Sequence, residues 1–374
     1  MNRKTSRAIR KHGGAGKAMR PPYPGGPAWA GPMPDAAAAA GPRKIAFPVL
    51  LWVYSVVPLC VLVYLLDVFQ FHGHLRDTLP RAPESYFALS LLFGTPHIVA
   101  SNVIFLTNQE YLKAYWRRAV WMTLAIIAFF ALGSAFLSYN VLFSIVATAT
   151  ILHVVKQQIG IGNRVAQLSG VIYHVWIWTL IGSSVAMYNG IFLQPALTAD
   201  QLRWIDRALI AASFVLVATA LGCQSRAKTP MGRRFLWANT IMIVTSFYFY
   251  FQQYYFFAIL GPRIVHDGTA FIFYVVHDYN RHHQAPKNLL YRFFRKIRLN
   301  AYVAVPLVAI GLTLFLQHYA DTYFAYATHI LLDRTFPHAI AFGLVGYLGL
   351  MHYYMEAFTW KGASPYRKYI SFAP

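Results

Sequence analysis

The chain has 374 residues, of which 57% are hydrophobic and 12% charged, and its mean hydropathy is +0.42; a soluble domain carries about 25% charged residues. The formal net charge is +21, but the bases gather in short segments between apolar blocks of roughly 20 residues, the length that crosses a hydrocarbon core. The charge therefore reads as loop asymmetry and not as a nucleic-acid footprint, and the ~10-residue alternation of an outer-membrane barrel is absent.

Residues 1–44 form a separate block. They hold nine bases against one acid, Asp35, with Gly, Pro and the run Ala36–Ala40 between them. Such a segment cannot bury a core and is expected to be a disordered cytoplasmic tail. No apolar stretch follows its first bases directly, so it is not read as a signal peptide. Residues 45–361 are expected to form an all-α, polytopic transmembrane helical bundle, with 362–374 a short C-terminus. Spans are predicted at 46–66, 86–107, 119–137, 140–157, 167–187, 206–222, 236–258, 264–280, 300–319 and 337–358. With both termini in the cytoplasm, 27 Lys and Arg fall on the inner side and six on the outer, Arg263 among them. That split follows the positive-inside rule and points to a bacterial inner membrane. Cys60 and Cys223 lie in or beside spans and make neither a structural disulfide nor a metal-thiolate motif.

Ionisable residues at membrane depth cost a few kcal/mol each and mark function by default. The second span carries Gly94-Thr95-Pro96-His97, which breaks a helix at mid-depth and leaves carbonyls in need of partners. The fourth ends on His153, Lys156 and Gln157. The eighth holds a His-Asp pair twice, His266-Asp267 and His277-Asp278, followed by His282 and His283. Eleven residues return a helix to within ~20° of the same face, so His266 and His277 share a stripe but lie ~16 Å apart, too far for one ion. The tenth span carries His352 and Glu356 at i, i+4, on one helix face.

Counted from the span ends, His153, His277, His352 and Glu356 fall in the cytoplasmic layer, with His97 near the middle. These five are the expected metal ligands, with Glu356 also a candidate base and Asp278 a candidate catalytic or ligand-orienting acid. His266, Asp267, His282 and His283 are left for a possible second site. Several imidazoles, one carboxylate and no thiolate favour non-haem iron, with haem as the second cofactor considered because it needs axial histidine. The function expected is an iron oxidoreductase acting on a lipid-soluble substrate in contact with membrane lipid, its redox partner left open. A proton-coupled carrier using the His/Asp pairs is the main alternative, and a haem-binding electron-transfer protein another.

His277-x4-His282-His283 resembles one histidine box of the integral-membrane fatty-acid desaturase and hydroxylase superfamily, whose members are diiron enzymes. The second HxxxH and HxxHH boxes are missing. Phe336-Pro337-His338 with His352-x3-Glu356 resembles the last helices of the carotene-cleaving dioxygenases of Brp/Blh type, which hold iron through histidines from several helices. The combination of His-Asp, His-Asp-x-Asn-Arg and a terminal His-x3-acid-x3-Trp-Lys is similar to an uncharacterised family of bacterial multipass proteins. That last resemblance implies a site at these positions and supplies no reaction.

Overall fold

The computed structural model describes residues 41–333, 339–361 and 364–373. Most of the tail, together with Phe336, Pro337 and His338, lies outside the described residues. The described chain is helical almost throughout. In order it forms α1 (Phe47–Gln70), α2 (Phe87–Leu92), α3 (Thr95–Thr107), α4 (Gln109–Phe136), α5 (Tyr139–Ala166), α6 (Val171–Phe192), α7 (Ala199–Gln224), α8 (Pro230–Phe251), α9 (Tyr255–His282), α10 (Leu289–Lys296), α11 (Ala301–Leu314), α12 (Ala320–Leu332) and α13 (Ala339–Thr359).

Local chemistry sets several of the boundaries. Thr198 and Gln201 close a capping box at α7. Thr229 caps α8 with Pro230 in its first turn, and Asn288 and Asn300 cap α10 and α11. Each such cap satisfies backbone donors that the first helical turn leaves open.

Eight helices among the described residues are long and apolar enough to cross a membrane, α2 and α3 counting together as one such span. α8 and α13, of 22 and 21 residues, pack among them. Trp52, Trp121 and Phe214 are more than 70% exposed on the outside of the bundle. An apolar exterior of this kind suits lipid as its solvent. The protein is thus read as a multipass helical membrane protein.

α9 is the central helix. Within its apolar window 61% is buried, against 11% for α4, and it packs against α1, α3, α5, α8 and α11. It also departs from the expected span. The sequence places a loop near 259–263 and starts the eighth span at 264, whereas the turn falls at 252–254 and α9 runs unbroken for 28 residues through Pro262. Arg263, expected outside, lies inside the helix with its Nε 3.8 Å from Asp267, one turn on. Pro and Arg read as an ending, yet proline is tolerated inside a helix that packs within a bundle.

The two described ends meet. Ile45–Ala46 (β1) pairs in parallel with Phe372–Ala373 (β2). The Arg43 amide donates to Asn280 Oδ1 at the end of α9, and Asn280 donates to the Tyr369 carbonyl. Arg164 at the end of α5 lies over the Phe372 ring. Both described ends therefore sit at one end of the bundle, which an even number of crossings produces. Cys60 and Cys223 are free and buried.

Candidate metal centre

The break before α3 is built by glycine. Gly94 has φ +81 and ψ −101, a region open to glycine and strained for other residues. A Cβ there would stand 2.0 Å from Arg263 Nη2. The freed Gly94 amide donates to Asp267 Oδ2 at 2.5 Å. Gln317, in a π-helical turn after α11, donates to Thr95 Oγ1 at 3.1 Å. The break thus starts a new helix whose first turn carries His97 into the bundle.

Four imidazoles from four helices meet there. Ring centroids of His97 (α3) and His266 (α9) are 5.0 Å apart, His266 and His153 (α5) 5.3 Å, His153 and His352 (α13) 4.9 Å, and His352 and His97 5.0 Å. The rings close a circuit. Glu356 joins it, with Oε2 3.5 Å from His153 Nε2 and 3.9 Å from His352 Nε2. Donor atoms of His97, His266 and His352 lie within 4.8 Å of one another, as do those of His153, His352 and Glu356. The two groups share His352.

Outer contacts aim these side chains. Ser101 Oγ is 2.6 Å from His352 Nδ1, which turns Nε2 inward. His97 Nδ1 is 3.0 Å from Asp267 Oδ1, at the distance but off the angle of a good hydrogen bond. Glu356 accepts from the Tyr274 hydroxyl through Oε1 and from Gln157 Nε2 at 3.0 Å through Oε2. Inside the circuit the polar atoms lack partners. His97 Nε2, His153 Nε2, both nitrogens of His266 and His352 Nε2 are buried without a hydrogen bond among the described residues.

Two cavities reach this cluster. One of about 150 Å³ has His97 and His266 in a wall otherwise made largely of apolar side chains such as Met242 and Ile259. A larger one of about 660 Å³ reaches His153 and Glu356 from the side of Arg164 and Phe372.

Of the residues singled out in the sequence, His97, His153, His352 and Glu356 come together. So do His266 and Asp267, expected at a separate site. His277 does not join them. Its Nε2 is 2.6 Å from the Tyr111 hydroxyl, its Nδ1 2.7 Å from Asp278 Oδ1, and its ring stacks on Tyr366 at 3.9 Å. Asp278 accepts from the Tyr291 hydroxyl. His282 stacks on Tyr291, and its Nδ1 accepts from the Lys287 amide at 3.1 Å. His283 stacks on Tyr279. Burial raises the hydroxyl pKa of both Tyr291 and Tyr366 well above the ordinary tyrosine value, so both stay protonated.

This second, aromatic-bonded group is tied into the basic end. Arg281 donates to Asn108 at 2.7 Å and to Glu110 at 2.9 Å, and Lys368 donates to Glu110 at 2.6 Å. Ser101 and Tyr274 are partners of the cluster that sequence reasoning misses, and Gln157, named beside His153 in the fourth span, receives no role there. Ser101, four residues after His97, and Gln157, four after His153, carry the legible signals.

No protein-family model, curated protein or solved structure matches this chain. The chemistry of the site follows from its own geometry.

Proposed function

We propose that the cluster holds one transition-metal ion, and that the protein is a membrane oxidoreductase using non-haem iron on a lipid-soluble substrate. The observation that carries the metal is the set of unpartnered imidazole nitrogens that four helices bring together. An unsatisfied buried polar atom costs about 1–3 kcal/mol, and an ion would satisfy one nitrogen of each ring that holds it. Donors on opposite sides of an ion with bonds near 2.1 Å are ~4.2 Å apart. Within each group of three, donors no more than 4.8 Å apart need closure by only a few tenths of an ångström per ligand. The two donor groups share His352, and we read them as one centre that draws its ligands from His97, His153, His266, His352 and Glu356.

Four imidazoles and a carboxylate without a thiolate suit iron among the redox metals. Rings packed about 5 Å apart leave no slot for a porphyrin, which favours the non-haem reading over haem. The ion, when bound, would supply one-electron chemistry and a Lewis acid. The chain's own residues do the rest. Ser101 orients His352, and Asp267 places its charge 3.0 Å from His97 Nδ1. Glu356, held by Tyr274 and Gln157 and facing the larger cavity, is placed to accept a proton from a molecule there. The mainly apolar cavity walls suit a lipid-soluble molecule.

Metal analysis of protein purified under gentle extraction tests this. About one ion per chain is expected in the wild type. His352→Ala or His266→Ala should lose it, while His277→Ala, outside the circuit, should keep it. A metal-free wild type, or equal retention in all three variants, would shift the reading to a proton-coupled carrier.

A further inference from the structure

The larger cavity has an unusual rim. Its inner end is formed by His153 and Glu356, and its walls are mainly apolar. Arg164, Arg367 and Lys156 are the bases around it, and Phe372 closes one side. The Arg164 and Arg367 guanidiniums lie 4.9 and 5.0 Å from the centroid of the same Phe372 ring. Neither has a carboxylate within ion-pair distance among the described residues. The polar partner of Arg367 is the Ile370 carbonyl. Burial, and secondarily the charge of Arg164, lower the Arg367 guanidinium pKa below its ordinary value. Two cations lining one cavity, with no carboxylate paired to either among the described residues, are set to receive an anion.

The depth is also defined. From Arg164 to His153 is eleven residues of α5, about 16 Å along the axis. A volume of about 660 Å³ lies within the range that encloses one small ligand.

From this juxtaposition we infer that the cavity takes a single-chain amphiphile with an anionic head, a carboxylate or phosphate. Its head is held by Arg164 and Arg367, and its apolar chain runs inward to Glu356 and His153. The inference rests on the metal-centre reading only for the claim that such a molecule is the substrate. The binding site itself stands on the cavity and its rim. Arg164 and Arg367 are then residues that position the substrate, since the head they hold sets which part of the chain meets the centre.

The test uses the full chain in phosphatidylcholine nanodiscs, titrated with dodecanoate, dodecyl phosphate and dodecanol, with metal content measured on the same samples. Both anions should saturate at one per chain, and the alcohol should bind at least about tenfold more weakly. Arg164→Gln, at an exposed position, should weaken anion binding several-fold, and Arg164→Gln with Arg367→Gln by about tenfold or more, with metal content unchanged. Gly160 lines the cavity and has open space where its Cβ would stand. Gly160→Trp should therefore block all three ligands.

Metal-free His352→Ala should still bind the anions. If wild type binds them but holds no metal, the metal reading falls and the anionic-amphiphile site stands. Equal binding of the alcohol, unchanged anion binding in the double variant, or unchanged binding in Gly160→Trp would each overturn the site. The last two results would place the ligand on the annular lipid surface.

Discussion

Single atoms decide the shape of the centre. The break at Gly94 holds because its amide has the Asp267 carboxylate to donate to and because no side chain stands where Arg263 lies. Gly94→Ala should cost about 1–3 kcal/mol from backbone strain alone, and more from the clash, reading out as a lower thermal midpoint together with loss of metal. Asp267→Asn is the gentler probe. It keeps an acceptor for the Gly94 amide but removes the charge beside His97 Nδ1. An outer partner of this kind changes metal affinity by about 10–100-fold, so competition with a chelator should show that loss while the thermal midpoint moves little. An unchanged affinity in Asp267→Asn would deny the carboxylate a role in metal binding. Atomic detail also explains His277. It shares a face of α9 with His266, yet Tyr111 and Asp278 occupy both of its nitrogens, so it has none left to offer an ion.

At the scale of elements, the length of α9 governs which histidine reaches the centre. The helix spans about 42 Å at 1.5 Å per residue, and His266 lies about 16 Å from its first residue, level with the broken start of α3. Had the helix begun at 264, His266 would have sat at a membrane surface and His277 at the centre's depth. A cysteine in place of Gln253, exposed in the turn between α8 and α9, should react with a membrane-impermeant maleimide added from the side opposite the termini. A cysteine in place of Arg263 should resist it, being a helical turn and more inside. Equal labelling at both positions would restore the shorter eighth span. Elsewhere the elements are legible in the sequence. Apolar blocks, capping residues and Gly/Pro breaks place the other long helices near their predicted positions, since each of these signals is local in sequence.

For the whole molecule, the meeting of the two ends and the gathering of Arg43, Arg164, Arg281, Arg367 and Lys368 at one end of the bundle favour a cytoplasmic, basic face. Reporter fusions after Lys228 and after Arg298 should report cytoplasm, and one after Gln253 the outside; an outside signal at Arg298 would invert or break this topology. Hydropathy and charge by themselves determined an all-helical membrane bundle with a basic face, and the cost of burying imidazoles and carboxylates in lipid marked out His97, His153, His352 and Glu356. Tertiary structure alone decided that His266 and Asp267 belong with them and that His277, Asp278, His282 and His283 do not. Depth counted along a chain carries an error whenever a helix runs through a residue that looks like its end. Rotation about each axis, and which nitrogen a neighbour already occupies, are set by packing between helices distant in sequence, as with Tyr111 on His277 and Ser101 on His352.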